Sequence, residues 1–367
     1  MTVEISPNWR TVQLHEVCQP KQWQTIKKSE MTETGFPVYG ANGIIGRYHS
    51  FNHTKATILI GCRGTCGAIN VCEPNSWVTG NAMALDDLDT SRVDFNFMVY
   101  ALKTDELQNA ITGTSQPQIT QTSLKRIHLP LPPIQEQRRI AAVLDAAEAL
   151  REKRRQTLVR LNSLVQSIFI NMFGDPVRNE YDWPTVRLGD VAIIERKAVY
   201  PGEVNNQEQY VGLENITSNG AVEGVTTAGK ADLKSSKFAF NDDHLLYGKL
   251  RPYLTKIAAP KFGGICSTDI LPIKPGDSLY RYYLLYCLRT PAMVAQATNN
   301  AVGINLPRLS PTVLESFEIP LPPIETQRCF DSVVQEIHQQ HKTLKTQAHL
   351  LDTLFDSLRQ RAFRGEL

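Results

Sequence analysis

Pro130-Leu-Pro-Pro-Ile-Gln-Glu-Gln-Arg138 recurs as Pro320-Leu-Pro-Pro-Ile-Glu-Thr-Gln-Arg328, 190 positions further along a chain of 367 residues. Seven of the nine residues match. A period of this length is too long for a solenoid repeat, whose units span roughly 20–50 residues. The repeat therefore indicates that a whole module is duplicated within the chain.

The duplication extends beyond this phrase in both directions. Gly113-Thr-Ser-Gln-Pro-Gln-Ile-Thr120 aligns at the same offset of 190 with Gly303-Ile-Asn-Leu-Pro-Arg-Leu-Ser310. Near the start of each module, Trp9-x-Thr-Val-x-Leu-x-x-Val17 recurs as Trp183-x-Thr-Val-x-Leu-x-x-Val191, at an offset of only 174. The second module therefore carries 190 − 174 = 16 additional residues between its similar ends. Similar ends with divergent middles predict a fixed framework that holds a variable recognition surface.

A long helix is predicted after each copy of the phrase. Residues 134–173 and 324–364 contain no glycine or proline. A proline at the start suits the first turn of a helix, and Gly174-Asp-Pro176 predicts a glycine stop for the first helix. An a/d seam of period 3.5 continues through both helices in matching register. The seam positions are 140, 144, 147, 151, 154, 158, 161, 165, 168 and 172, and the same numbers plus 190.

The matching seams favour pairing of the two helices, although a helix packed on its own domain is the more usual meaning of an apolar stripe. Each helix is about 58 Å long at roughly 1.5 Å per residue. Because each globular segment precedes its helix, antiparallel pairing would place two domains at opposite ends of a rod.

The segments before each helix predict mixed domains with many loops, so the fold class is α+β. Short strands separated by glycine are predicted at 35–40, 57–61, 68–72, 210–213, 244–247 and 270–273. Helices are predicted at 95–103 and 280–288. The whole prediction is two globular mixed α/β domains separated by two long antiparallel coiled-coil helices, with a pseudo-twofold internal duplication.

Composition sets wide limits. Apolar residues at 42% and charged residues at 21% are typical of a globular protein, and the net charge of +2 permits nucleic-acid binding without arguing for it. Seven cysteines, an odd number, fit reduced thiols better than a disulfide framework. The first eight residues lack the layout of a signal sequence, so a cytoplasmic location is expected.

Several ordered phrases carry a family resemblance. The first module contains Tyr39-Gly-Ala-Asn-Gly-Ile-Ile-Gly46, Ile58-Leu-Ile-Gly-Cys-Arg-Gly-Thr65 and Trp77-Val-Thr-Gly-Asn81. The second contains Tyr210-Val-Gly-Leu-Glu-Asn-Ile216, Ser235-Ser-Lys-Phe238, Leu246-Tyr-Gly-Lys-Leu-Arg-Pro-Tyr-Leu254 and Cys266-Ser-Thr-Asp-Ile270, and the tail is Ala362-Phe-Arg-Gly-Glu-Leu367. With the duplicated phrase and helices, this set resembles the specificity subunit of type I restriction–modification systems over essentially the whole chain. Cys62 and Lys249 depart from the residues common at those positions.

The resemblance implies a non-catalytic DNA-recognition subunit. Its two target recognition domains, residues 1–132 and 175–322, would each read one half of a bipartite DNA site. The helical segments 133–174 and 323–367 would set the spacing and dock two methyltransferase subunits. Those partners would bind S-adenosylmethionine and methylate adenine at N6, while a restriction (helicase–nuclease) subunit would use ATP and magnesium. No cofactor or metal is expected in this chain.

Side chains in the glycine-rich loops are the candidates for DNA contact. Basic, amide, hydroxyl and aromatic groups there can reach phosphates or base edges. The candidates are Asn42, Arg47, Arg63, Thr79, Asn81, Gln116, Gln118, Lys249, Arg251, Tyr253, Lys256, Thr268, Asn305 and Arg308. Individual members of this set could instead stabilise turns or lie solvated.

Motifs for chemistry within the chain are weak. Gly224-Val-Thr-Thr-Ala-Gly-Lys-Ala231 matches a phosphate loop except at its last position, where alanine replaces the magnesium-binding hydroxyl. Cys62, Cys66 and Cys72 lack the CxxC spacing of zinc sites. Two alternatives stay open: a coiled-coil scaffold that binds only proteins, and an enzyme that uses one of these motifs.

Overall fold

A computed structural model describes residues 9–113, 116–231 and 233–367. The first eight residues, and positions 114 and 115 of the repeat that begins at Gly113, lie outside this description. The chain divides into two compact units. The first comprises the residues up to Lys153 together with Gln347–Leu367, and the second comprises Arg154–Thr346.

The first unit contains nine strands and two short helices among its described residues. They are β1 Arg10–Gln13, β2 Gln19–Gln22, β3 Phe36–Gly40, β4 Gly43–Tyr48, β5 Thr57–Gly61, β6 Ile69–Cys72, β7 Trp77–Val78, β8 Ala82–Asp86, α1 Phe95–Leu102, α2 Gln121–Leu124 and β9 His128–Leu131. The strands form sheets in the orders β1-β9, β2-β8-β5-β6 and β4-β3-β7. Strand β3 runs parallel to β7, and the other pairings are antiparallel.

The second unit repeats this plan with eleven described strands and four short helices. They are β10 Thr185–Arg187, α4 Leu188–Val191, β11 Ala192–Ile194, β12 Ala198–Val199, β13 Gln209–Val211, β14 Thr226–Thr227, β15 Lys237–Phe240, β16 Leu245–Gly248, β17 Ile257–Ala258, β18 Gly264–Cys266, β19 Ile270–Pro275, α5 Arg281–Leu288, α6 Pro291–Asn299, α7 Pro311–Glu315 and β20 Glu318–Pro320. The sheets have the orders β10-β20, β11-β19-β16-β17 and β12-β15-β18-β13-β14. Strand β13 is parallel to β18, as β3 is to β7.

Two long helices are present, α3 Ile134–Phe173 and α8 Ile324–Arg364, and each begins one residue after the proline predicted as its start. All twenty predicted seam positions are buried or half-buried. Gly174 ends α3 in the left-handed region with φ +77°, and its N–H donates to the Ile170 carbonyl at 2.8 Å. No helix in the described part of the chain is long and apolar enough to cross a membrane.

Each unit contains an antiparallel pairing of one part of α3 with one part of α8. In the first unit, Arg139 donates to the Leu367 carbonyl at 2.7 Å, whereas Arg151, twelve residues later, donates to Asp352 at 2.7 Å. In the second unit, the Phe173 and Phe330 rings lie 5.5 Å apart. Val165 and Ile337 share the same hydrophobic core there. The predicted antiparallel pairing is therefore found within each unit.

The ends of each module pair with one another. Thr11 and Val12 of β1 lie opposite Pro130 and Leu129 of β9. Their sequence equivalents, Thr185 and Val186, lie opposite Pro320 and Ile319. The start and the end of each module, where the two copies are most similar in sequence, thus pair as a small antiparallel sheet before each long helix.

A buried glutamine anchors each long helix to the module before it. Gln137, fully buried, donates to the carbonyls of Arg92 and Pro132 at 2.9 and 2.8 Å and accepts from the Asp94 N–H at 2.8 Å. Gln327, at the equivalent position, makes the same three kinds of bond to Ser278, Pro322 and Tyr280. Because a buried amide needs partners for both its donor and its acceptor, this glutamine is retained in both copies for a structural reason.

Candidate nucleic-acid interface

In the first unit, three chain segments meet at the end of β5. The N–H of Cys62, the residue after this strand, donates to the Asn81 carbonyl at 2.9 Å. Its own carbonyl accepts from the Ile119 N–H at 3.0 Å. Thr112 and Gln118 exchange two backbone hydrogen bonds of 2.8 Å, which close the loop between them. Arg63 and Gln118 also form an isolated antiparallel β-bridge. We call this arrangement the strand-end junction.

The same junction recurs in the second unit at the end of β16. The N–H of Lys249 donates to the Asp269 carbonyl at 2.9 Å, and its carbonyl accepts from the Leu309 N–H at 2.9 Å. Val302 and Arg308 exchange backbone bonds of 3.0 and 2.9 Å, and Leu250 bridges to Arg308. The hydrogen bonds therefore make the following positions equivalent: Cys62 and Lys249, Arg63 and Leu250, Asn81 and Asp269, Thr112 and Val302, Gln118 and Arg308.

Glycines allow neighbouring segments to approach the junction closely. A Cβ at Gly61 would lie 2.3 Å from the Thr65 carbonyl oxygen and 2.7 Å from that of Ala41. The tight turn at Ala41–Asn42 between β3 and β4 therefore packs against the end of β5. In the second unit, a Cβ at Gly248 would lie 2.9 Å from the Lys256 carbonyl oxygen. Glycine at the end of each strand thus brings further polar residues to the junction.

Arg251 occupies a backbone conformation that is unusual for its type. Its φ of 52° and ψ of 68° are left-handed. The equivalent position in the first unit is Gly64, with φ +78°. The Arg251 N–H donates to the Pro307 carbonyl at 2.7 Å, and Nη2 lies 3.4 Å from the Asn305 carbonyl oxygen. Its Nε is buried and has no partner among the described residues. Strain of this kind is concentrated at functional sites.

An ion pair is present at the second junction. Arg308 Nε lies 3.3 Å from Asp269 Oδ1, and the two side chains are 47% and 31% exposed. At the equivalent positions of the first junction, Gln118 and Asn81 are exposed, and their amide groups make no hydrogen bond within the described part of the chain. Equivalent backbone positions therefore present different donor and acceptor groups in the two units.

Most of the predicted DNA-contact residues are accessible. Asn42, Arg47, Arg63, Asn81, Gln116, Gln118, Tyr253, Asn305 and Arg308 are exposed, and Lys249, Arg251, Lys256 and Thr268 are half-buried. Arg47 lies on β4 and donates to the Gly35 carbonyl at 2.7 Å, whereas Lys256 donates to the Leu213 carbonyl at 2.6 Å. Thr79 is 1% exposed, and its hydroxyl has no partner among the described residues, so it does not face solvent.

Sequence reasoning missed two features of the second junction. The set of candidates does not include Asp269, although this residue lies in the quoted phrase that begins at Cys266. Val302, Ile304 and Leu306 are 81%, 101% and 45% exposed in the loop closed by Arg308. The sequence does contain a signal for this group, because the polar residues at these positions of the first module are apolar in the second. Exposed apolar side chains grouped in this way mark contact surfaces.

The weak chemical motifs take structures that do not suit catalysis. The stretch from Gly224 to Ala231 forms β14 and a turn, without the helix that follows a phosphate loop. Burial raises the pKa of Cys62 to about 11, and the Cys66 thiol donates to the Pro117 carbonyl at 2.8 Å. In the described part of the chain, no three His, Cys, Asp or Glu residues are grouped as metal ligands.

Comparison with known proteins agrees with this architecture. The aligned region of the chain is 27% identical over 210 residues to the Type I restriction enzyme EcoDI specificity subunit of Escherichia coli and covers 56% of this chain but 46% of that protein. It is 23% identical over 341 residues to the Type I restriction enzyme MjaIX specificity subunit of Methanocaldococcus jannaschii. That alignment covers 85% of this chain and 78% of the relative. The chain thus spans about half the length of the first of these relatives.

A solved structure has the same fold. The crystal structure of the type I restriction–modification S subunit from M. genitalium superposes with a TM-score of 0.61, covers 99% of both chains and is 18% identical in sequence. The family model for the type I restriction modification DNA specificity domain matches residues 7–160 and again residues 180–348. Because these two matches include most of both modules, the chain belongs to the type I restriction modification DNA specificity domain family.

Proposed function

We propose that the chain is the DNA sequence-specificity subunit of a type I restriction–modification complex in the cytoplasm and catalyses no step itself. Residues 1–132 and 175–322 act as two target recognition domains, and each reads one half of a bipartite DNA site. The observation that carries this proposal is the recurrence of the strand-end junction with different side chains. A conserved backbone arrangement with exchanged polar groups is suited to reading two different base sequences.

Exposed donors at the junctions suit DNA. Arg63 in the first unit and Arg308 in the second are exposed guanidinium groups, which bind phosphate or guanine through two parallel hydrogen bonds. The apolar group around Ile304 suits contact with a thymine methyl or with the edge of a base step. Both kinds of contact are found in sequence-specific recognition, whereas a protein-only scaffold has no need of exposed guanidinium groups and amides on one backbone frame.

The helical segments 133–174 and 323–367 serve as spacer and docking surface in this proposal. Leu150, Leu350 and Leu354 are 57%, 60% and 52% exposed on α3 and α8 within the first unit. Large apolar side chains exposed on paired helices suit a helical partner. We assign this surface to one of two methyltransferase subunits, which bind S-adenosylmethionine, and assign ATP- and magnesium-dependent restriction to a third kind of subunit.

The test is co-expression of this chain with its cognate methyltransferase subunit, in a host that lacks adenine methylation. Genome-wide mapping of N6-methyladenine should find a split motif with two different half-sites and a fixed gap. A stable complex that methylates no such motif would refute the proposal in favour of a scaffold. Omitting this chain should abolish methylation, which controls for specificity carried by the methyltransferase alone.

A further inference from the structure

We propose that the side chains on either side of the strand-end residue specify one base pair in each half-site. Asn81 and Gln118 read an A·T pair in the first half-site, and Arg308, held in place by Asp269, reads a G·C pair in the second. This inference rests on the proposed function. It adds a positioning residue, Asp269, and assigns one kind of base pair to each of two equivalent positions.

The backbone argument is that both pairs flank the same point. In the first unit, Cys62 bonds through its N–H to Asn81 and through its carbonyl to Ile119, the residue after Gln118. Lys249 forms the same two bonds in the second unit, with Asp269 and with the residue after Arg308. Because main-chain bonds fix these positions, the side chains can change without altering the frame. The backbone therefore sets where the two side chains lie, and the residue types alone set which bases they can bind.

The ion pair prepares Arg308 for guanine. Asp269 Oδ1 lies 3.3 Å from Nε, which leaves the two terminal nitrogens of the guanidinium available. Those nitrogens can donate together to guanine O6 and N7, the most common specific contact in the major groove. Both side chains stay partly exposed, at 47% and 31%, so the group is accessible to a base edge. Asp269 is a positioning residue that fixes the plane of the guanidinium.

The first junction offers amides in place of charges. Asn81 and Gln118 are exposed, and their side-chain amides make no hydrogen bond with described residues. An amide carries a donor and an acceptor side by side, which matches N7 and N6 of adenine. The exchange of amides for an ion pair is therefore a change from adenine to guanine chemistry on one frame.

Charge-neutral double variants test the assignment. Asp269→Asn with Arg308→Gln gives the second junction the chemistry of the first, and Asn81→Asp with Gln118→Arg does the reverse. Each variant, assembled with the methyltransferase partner, is used to select duplexes from a randomised pool. We expect one G·C position to become A·T in the second half-site with the first variant, and the opposite change in the first half-site with the second. The preference at the altered position should shift by about tenfold or more.

A matched control removes a different exposed ion pair in the same unit. Arg178→Gln with Glu180→Gln also leaves net charge unchanged, because it removes one positive and one negative charge. These two side chains are 78% and 53% exposed, with Nη1 of Arg178 3.9 Å from Oε1 of Glu180. Its selected motif should equal that of the wild type. Arg308→Lys retains the charge without the guanidinium fork, so guanine preference should fall while the melting temperature stays within a few degrees.

Two results would overturn the inference. One is an unchanged motif in the double variants. The other is equal loss of affinity for all four base pairs, which would mean that these side chains contact phosphate. Failure of the proposed function looks different, because the wild-type complex itself would then select no bipartite motif.

Discussion

Replacing Arg251 by glycine should separate stability from DNA recognition. The residue holds a left-handed backbone, with φ 52° and ψ 68°, at the position where the first unit has Gly64. A left-handed conformation destabilises a residue with a Cβ by roughly 1–2 kcal/mol. Glycine relieves this strain but loses more conformational entropy on folding, about 0.5–1 kcal/mol.

Loss of the Arg251 side chain itself should change the free energy of unfolding little and weaken DNA binding strongly. The hydrogen bond from Nη2 to the Asn305 carbonyl is long, at 3.4 Å, and contributes little to stability. Nε is buried without a partner among the described residues, so its removal also removes the free-energy cost of burying it. The free energy of unfolding should therefore change by less than about 1 kcal/mol. Affinity for the specific duplex should fall by about 1–3 kcal/mol, or roughly 5- to 150-fold.

Thr255 provides the matched control, because it is also left-handed, with φ 53°. Thr255→Gly relieves similar strain without removing a guanidinium, so its complex should keep wild-type affinity. Thermal melting of each chain and fluorescence titration of the assembled complex with its selected duplex supply the two measurements. A large fall in melting temperature with unchanged affinity for Arg251→Gly would refute the reasoning, since Arg251 would then be a structural residue.

Four further outcomes follow from particular contacts. Gln327→Leu should lower the free energy of unfolding by about 2–4 kcal/mol in urea titrations, because it removes three hydrogen bonds of a fully buried amide, one of them to the carbonyl of buried Pro322. Ile304→Asn should leave the melting temperature unchanged and weaken binding to the specific duplex several-fold, since this side chain is fully exposed. Leu350→Ser with Leu354→Ser should likewise preserve melting but reduce the methyltransferase recovered with the chain. Burial, with help from Lys261 and His341, lowers the pKa of His338 from 6.5 to about 4, so the unfolded chain binds the extra proton between these values. Stability should then be full above pH 6.5 and fall by about 1–2 kcal/mol as the pH drops toward 4, after allowance for solvent screening.

Each of these outcomes has its own contradiction. A Gln327→Leu chain as stable as the wild type would mean that the freed groups find other partners. Unchanged affinity of Ile304→Asn would remove the apolar loop from the interface, and undiminished recovery of the methyltransferase would remove the leucine surface. A His338→Gln variant should flatten the pH dependence between 4 and 6.5, and an identical slope would show that another group titrates.

The helices and many strands follow directly from local sequence signals. The predicted helix at 280–288 is found as α5, and the predicted strand at 57–61 is found as β5. These segments carry apolar runs bounded by glycine, proline or capping residues, and such signals act within a few residues. The helix α6 was not predicted, although Thr290 caps it by accepting from the Met293 N–H and proline follows at its first position. Its apolar pattern is short and follows α5 directly, so it gives little signal of a separate helix.

The candidate site was predictable as a set of loops but not as an arrangement. Repeated glycine-rich phrases identified the segments around Arg63 and Arg308, because glycine marks close approach of backbones. No local signal shows that Asp269 meets Arg308, since that contact depends on how segments 39 residues apart return to one strand end. Nor does sequence show that Thr79 is buried while its neighbour Asn81 is exposed.

The lengths of the two modules explain why the junction survives divergence. The offset between equivalent residues is 183 − 9 = 174 at the start and 249 − 62 = 187 at the end of the fifth and sixteenth strands. It becomes 269 − 81 = 188 at the next turn and 308 − 118 = 190 at the return loop. Thirteen of the sixteen additional residues therefore enter before the junction and only three within it. Because the junction is held by backbone groups, which every residue supplies, insertions around it and side-chain exchange upon it leave its geometry intact. A new base preference can then arise by substitution alone, without a new fold for each half-site.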